Sequence, residues 1–372
     1  MCANSGSCSE LEERLKTYLE GQNGSYFPGN WRIQESPISG RGVFARRDIR
    51  ENEIVFADTP LVVGPRTNSN CPVFIRDLKP KFDPGSGESF SRTLYKTVTP
   101  IRCLKLNESQ RDLVRCLQSN DGPQHSFEVD LLKRSVDETL STDDEEFMRL
   151  CCRVMDANAF ETVALSTATA AVKGTKTTGP GPGVTEESSL RGLYPLSAIM
   201  NHSCSPNTRH GFDPRHRMIV RATKFIAADQ EITTSYSQLL WPTPRRRKHL
   251  LETKHFLCAC YRCQDPTELE TWLFFMDCPT RGCSGQLSPS DITSITSSWS
   301  CNMCKRVITS EQISILQNMQ NDLASNFNLG DPQTSMDSLS GGHKFGTAIV
   351  QKKLTLIWRL GYPPPLKLTG NF

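Results

Sequence analysis

"MNHSCSPNTRH", Met200–His210, places an amide, an imidazole, a hydroxyl and a thiol at four consecutive positions, Asn201, His202, Ser203 and Cys204. One cysteine near one histidine makes a poor metal site by itself, because neighbouring side chains on an extended strand point to opposite faces. Either Cys204 finds partners far along the chain, or the stretch is an ordinary turn, for which His-Ser-Cys-Ser-Pro-Asn has the composition. Such partners exist in "CACYRC", where Cys258, Cys260 and Cys263 supply three thiolates in a C-x-C-x-x-C arrangement. A structural zinc takes four ligands. Spacing leaves two completions open: Cys204, which would tie residues 201–204 to the later part of the chain, or His255, with Cys204 a small buried apolar residue.

Whole-chain numbers set the background. The 372 residues, 37% of them hydrophobic, suffice for two or three units with cores of their own. Forty-three basic against 40 acidic side chains leave a formal charge of only +3, so direct nucleic-acid binding is not expected. The N-terminal stretch lacks an apolar core and no apolar run approaches a membrane span, so neither a secretion signal nor a membrane partner is expected. Fifteen cysteines, an odd number, argue against a disulfide framework. A second group lies beyond the first: Cys278 and Cys283 in "CPTRGC", then Cys301 and Cys304 in "CNMC", two pairs about 20 residues apart, near a zinc-ribbon pattern.

Patterning along the chain predicts a mixed α+β architecture. Residues 9–21 read as a helix, with Leu11, Leu15, Tyr18 and Leu19 at helical spacing. Trp31–Gly64 reads as short strands separated by turns. "ESQRDLVRCLQ" and "DDEEFMRLCCRVMDANAF" carry helix starts with acidic first turns. Residues 166–189, rich in Thr, Ala, Gly and Pro, offer little to bury and read as a flexible insertion. Strands resume in "HRMIVRATKFIAADQEITTSY", followed by a short helix over "PTPRRRKHLLETKHF", whose "RRRKH" reads as a solvated face. The last helix expected is "AIVQKKLTLIWRL", stopped by "GYPPP".

"GRGVFA" at 40–45, "NHSCSPN" at 201–207, "DQEITTSY" ending at Tyr236 and "CACYRC" at 258–263 stand in the order found in SET-domain lysine methyltransferases. With "GLYPLSAIMNHSC" and the second cysteine group, the chain resembles the SMYD (SET and MYND) family, and most of all its SmydA-type branch. The resemblance implies a β-rich SET domain with knot-like threading, a helical insert, a zinc-binding post-SET region and a truncated helical C-terminus. It implies S-adenosylmethionine as cofactor, held by the Gly40, Arg41 and Gly42 turn, Asn158, Asn201, His202, Tyr236 and Phe256, with Tyr236 also the catalytic tyrosine. Cys204 then completes one zinc site with Cys258, Cys260 and Cys263, and Cys278, Cys283, Cys301 and Cys304 form a second, for two structural ions.

The organisation expected is an N-terminal helix (1–27), the SET N-terminal part (28–64), a helical insert (65–160), a flexible insertion (161–190), the SET C-terminal part (191–240), the zinc-binding post-SET region (241–305) and a partial helical region (306–372). Two departures from the family stand out. Pro65–Pro100 holds a single cysteine, Cys71, and no histidine, so the MYND finger is expected to be missing. Where many active members carry a second tyrosine, four residues before the zinc triplet, this chain has Lys254. Two functions therefore follow: a protein-lysine methyltransferase acting on a histone or non-histone protein, or a catalytically silent SET scaffold engaging transcriptional or chromatin partners. Either places the protein in the cytoplasm, the nucleus or both.

Overall fold

Ser7 starts the first helix, α1 (Cys8–Glu20): its hydroxyl accepts the Glu10 N–H, and the Glu10 carboxylate accepts the Ser7 N–H. That reciprocal cap satisfies two N–H groups that a helix start otherwise leaves unpaired. Leu11, Leu15, Tyr18 and Leu19 form its buried face, as their spacing predicts. From the same face Glu12 reaches the backbone N–H of Ile33 at 2.8 Å, which fixes the helix against the first strand. The computed structural model describes residues 7–22, 24–65, 99, 102–119, 129–130, 141–166, 186–273, 275–292, 294, 296–313 and 315.

The chain divides into two units. The first comprises residues up to Asn201 together with Arg209–Ile232. Its strands are β1 (Trp31–Glu35), β2 (Arg41–Ala45), β3 (Ile54–Asp58), β4 (Val62–Pro65), β5 (Phe160–Ser166), β6 (Glu186–Leu193), β7 (Thr208–Phe212), β8 (Met218–Ala222) and β9 (Glu231–Ile232). They form three small antiparallel sheets in the orders β1-β2-β9, β3-β8-β7 and β4-β6-β5. Burial alternates along β1 and β8, the sign of sheets with one covered face. Two further helices, α2 (Glu108–Cys116) and α3 (Thr142–Asn158), start at Asn107 and Ser141, whose side chains accept the Gln110 and Asp144 N–H groups. Trp31, Phe56, Leu113, Val154, Leu193 and Tyr194 share one apolar core with α1.

The expected short strands after Trp31 and the two helices of the insert are thus present. Both ends of the expected insertion are paired strands, 160–166 and 186–193, with Phe160 opposite Gly192 and Ser166 opposite Glu186. Residues 167–185 lie outside the described residues, as do the expected helix at 348–360 and, but for Pro65 and Thr99, the stretch where a MYND finger would sit.

The second unit comprises His202–Thr208 and the chain from Thr233 on. Its helices are α4 (Thr243–Lys254) and the single-turn α5 (Tyr261–Gln264). Its sheet, β10 (Met276–Asp277), β11 (Gln286–Pro289), β12 (Trp299–Cys301) and β13 (Val307–Ile308), is an antiparallel meander around Leu287, Trp299 and Ile308. His255 ends α4 in the left-handed region, at φ 61°, and turns the chain toward Phe256 and Cys258. No helix among the described residues is long and apolar enough to cross a membrane.

Candidate metal centres and active-site residues

The sulfur atoms of Cys204, Cys258, Cys260 and Cys263 all lie within 4.8 Å of one another. Cys204 Sγ stands 3.9 Å from Cys258 Sγ and 3.5 Å from Cys263 Sγ. Four thiolates at about 2.3 Å from a tetrahedral zinc would be roughly 3.8 Å apart, whereas a disulfide would hold two sulfurs at about 2 Å. The donor set therefore fits a tetrahedral thiolate-preferring ion. The choice left open by spacing falls to Cys204, since His255 is not among the clustered ligand atoms.

A second set, Cys278, Cys283, Cys301 and Cys304, meets the same test. Cys278 and Cys304 are 3.6 Å apart at sulfur, and Cys283 and Cys301 3.7 Å. The strand ends make this geometry. Backbone N–H groups of Gly285 and Met303 each donate to the cysteine two residues earlier, Cys283 and Cys301, at 3.4 Å. Gly282 has φ +80°, and a Cβ at Gly285 would come within 2.5 Å of Cys301 Sγ, so the narrow turn admits only glycine there.

In the second unit, His202 connects the first cysteine set to Tyr236. The backbone N–H of Tyr236 donates to His202 Nδ1 at 2.9 Å. Nδ1 is then the acceptor nitrogen, which leaves Nε2 to carry the proton, and Nε2 faces Cys204 Sγ at 3.2 Å. His202 also pairs with Thr234 as an isolated parallel bridge, with Ser203 N–H donating to Thr234 O at 2.9 Å. Its ring lies against Tyr236 and Phe256, at centroid distances of 5.3 and 5.9 Å. Both ring nitrogens are thus engaged within the protein, and the ring serves as a spacer between the sulfur cluster and Tyr236. Lys254 Nζ lies 5.7 Å from the Tyr236 ring centroid, a cation over a π face.

In the first unit, Asn201 holds the Gly40–Gly42 turn. Its Nδ2 donates to Ser39 O at 3.1 Å, Arg41 O at 3.2 Å and Glu231 Oε1 at 2.8 Å. Gly40 has φ +50°, a conformation that favours glycine, and a Cβ on Gly42 would press on the Glu231 carboxylate and displace it. Ser36 Oγ donates to the same carboxylate at 2.8 and 2.9 Å. Arg41 reaches Cys116 O at 2.5 Å. Asn158, at the end of α3, donates to Gln118 O at 2.7 Å and Val154 O at 2.8 Å.

Sequence reasoning missed the groups behind these residues. Arg246 and Arg247, read as part of a solvated face, are buried; within "RRRKH" only Lys248 is exposed, and Arg245 stacks 4.1 Å over the Trp241 ring. Arg246, Arg262 and Glu268 form a buried ion network beside Cys204 and Cys263. For Arg246, burial opposes the charge, but Glu268, Cys204 and Cys263 outweigh it and the net shift is upward. Arg262 goes the other way, lowered by burial and then by Arg246. The signal was the position of the basic run, one helix before a cysteine triplet. Asp58 was also missed: fully buried at the end of β3, it accepts the Ser197 N–H at 2.7 Å and thereby anchors the 3₁₀ turn Ser197–Ile199 that delivers Asn201.

The SET domain model matches residues 40–237, more than half of the 372-residue chain. SmydA-8 isoform B of Drosophila melanogaster, a SET domain-containing protein, is 29% identical over 405 residues, covering 96% of this chain and 86% of that protein. The human histone-lysine N-methyltransferase SMYD3 is 40% identical over 73 residues, 20% of this chain and 17% of its own. A solved structure of Rubisco LSMT with sinefungin and monomethyllysine aligns over 81% of this chain and 67% of that one, at 12% identity and a TM-score of 0.32. On the extent of the SET match, this chain belongs to the SET-domain family.

Proposed function

We propose that the protein is an S-adenosylmethionine-dependent protein-lysine methyltransferase of the SMYD type. The observation that carries this reading is the SET match over residues 40–237, which encloses "GRGVFA", "NHSC" and Tyr236 in order and ends one residue after that tyrosine. The knot-like threading of SET domains, and the extended similarity to SmydA-8, belong to the same proposal. S-adenosylmethionine, when bound, supplies an activated methyl group on a sulfonium. Gly40, Arg41, Gly42, Asn158, Asn201, His202 and Phe256 are assigned to holding it; for Asn201 the role is to fix the turn, and for His202 to fix Tyr236. The Tyr236 hydroxyl orients a neutral lysine amine for in-line attack, a geometric task for which alignment and exclusion of water supply much of the rate. Lysine is ordinarily protonated near neutral pH, so the site must also favour the free amine.

Each four-cysteine set is proposed to hold one structural zinc. Zinc there keeps the irregular segments around it in place, an effect of roughly 10–16 kcal/mol in small peptides. The substrate is a protein, histone or non-histone, and chromatin proteins encountered in nucleus or cytoplasm are the partners expected.

Lys254 favours a second reading, a SET scaffold without turnover, because its cation lies over the tyrosine that would orient a cationic substrate. Tritiated S-adenosylmethionine incubated with the protein and with nuclear and cytosolic extracts distinguishes the two. Label on protein lysines that disappears with Tyr236→Phe supports the methyltransferase. Cofactor binding with no label in either extract supports the scaffold.

A further inference from the structure

Asp58 closes β3 and is 0% exposed, as is Ser197, the residue it meets. Its Oδ2 accepts the Ser197 N–H at 2.7 Å, the first amide of the 3₁₀ turn Ser197–Ile199. Within that turn Ala198 N–H donates to Tyr194 O at 2.8 Å and Met200 N–H to Ser197 O at 3.2 Å, and Asn201 comes next. Residues 197–201 thus carry the position of Asp58 to the amide that holds Ser39 O, Arg41 O and Glu231 Oε1. Across the sheet Asp58 faces Met218 of β8, which offers no charge. The titratable groups that bear on it are two phenols, Tyr18 of α1 and Tyr194 just past β6, and burial pushes both up, so they stay neutral near pH 7. Asp58 is held by amides rather than by a cation: burial pushes its carboxyl up to about 7, and hydrogen bonds from Ser197, Leu196 and Thr59 offset this in part. An ionised carboxyl there gains from any movement of the turn that lets water in, whereas a neutral one does not.

We propose that Asp58 is a proton-linked positioning residue: its neutral form keeps Ser197–Ile199 seated and Asn201 on the Gly40–Gly42 turn, and its ionised form unseats them. The seated and displaced turns are two conformations in equilibrium, and the proton favours the seated one. As pH rises through about 7 the seated population falls, and a ligand that needs it binds more weakly by the same factor. Binding is therefore tighter on the acid side. Asp58 acts through Asn201 and need not touch the ligand. The proposal rests on the reading of Gly40–Gly42 and Asn201 as part of the S-adenosylmethionine site and goes beyond it by giving that site a proton switch.

Isothermal titration of the full-length, zinc-loaded protein with S-adenosylmethionine, from about pH 5.5 to about pH 8.5, tests the switch in wild type and Asp58→Asn. Asparagine stays neutral throughout, and its carbonyl can accept the Ser197 N–H. Groups that titrate on the cofactor or elsewhere in the site act on both proteins alike, so the ratio of the two dissociation constants isolates Asp58. That ratio, wild type over variant, is expected to rise about 5-fold or more across this range, the size of a typical coupling between sites. A purely structural Asp58 gives a ratio that does not change with pH, and that result overturns the proposal. A second readout needs no cofactor. The Asn201 side-chain amide in a nitrogen–proton correlation spectrum, identified by its loss in Asn201→Ala, should shift with a midpoint at about pH 7 in free wild type and not in Asp58→Asn. Should Asp58→Asn fail to fold, the wild-type spectrum decides: a step at about pH 7 supports the switch, and a flat amide overturns it. Failure of the cofactor reading looks different, because an amide step with no S-adenosylmethionine binding at any pH supports the switch and refutes the cofactor site.

Discussion

Replacing Asp58 by Asn should change the pH dependence of stability in a predictable direction. Burial pushes the Asp58 carboxyl from its ordinary 3.8 up to about 7, against the hydrogen bond from Ser197 that pulls it down. In the folded protein it holds its proton up to that pH, while in the unfolded chain it is ionised above about 4. Folding therefore takes up a proton between those values, and the contribution of Asp58 is fully present below about pH 4 and lost as pH rises through about 7. The slope is about 1.4 kcal/mol per pH unit, so roughly 2–3 kcal/mol disappears between about pH 5 and about pH 7, with little further change above about pH 8. The asparagine carbonyl can still accept the Ser197 N–H, but its added NH₂ donor costs about 1–3 kcal/mol if left unpaired. The two proteins should therefore differ most at low pH, where wild type is the more stable, and converge or cross near pH 8. Urea denaturation of both at several pH values, with zinc in excess, reads this directly, because metal-linked effects cancel in the difference. Parallel stability-pH curves would refute the argument and mean that Asp58 is ionised in the folded protein.

Cys204→Ser and Cys260→Ser should each lower zinc from about two ions per chain to about one, whereas Cys301→Ser should remove the other ion and leave the first set loaded; mass spectrometry under native, reducing conditions counts them. Asn201→Ala removes three hydrogen bonds that hold the Gly40–Gly42 turn. It should weaken S-adenosylmethionine binding by about 5- to 30-fold, the equivalent of one or two hydrogen bonds, with little change in zinc content. Lys254→Met takes a cation from over the Tyr236 ring and should lower KM for a lysine-bearing substrate more than it changes kcat.

The first cysteine cluster was legible because a structural zinc would demand four ligands, and C-x-C-x-x-C leaves one to find; a lone cysteine in an otherwise polar segment, Cys204, joins the three in space. Strands and helices near Trp31, Glu108 and Thr142 were legible from alternation and from capping residues. The buried network of Arg246, Arg262 and Glu268 was not. A run such as "RRRKH" looks solvated to any rule that places charge outside, because the partners that accompany the burial of Arg246 and Arg247, the Glu268 carboxylate and the Cys258 carbonyl, come 22 and 11 residues later. Glu268 carries no local signal at all, and Asp58, closing the apolar "IVFAD", is explained only by the Ser197 N–H that arrives 139 residues later. The ring nitrogens of His202 lie between Cys204 and Tyr236, an arrangement visible only once the backbone N–H of Tyr236 has a position.

Isothermal titration of the zinc-loaded, reduced protein with S-adenosylmethionine bears most directly on the central claim. Saturable one-to-one binding, weakened by Asn201→Ala and lost when the first cysteine set is stripped of metal, is the result the account predicts. No binding by the fully zinc-loaded wild-type protein would contradict it and leave the SET domain without its cofactor.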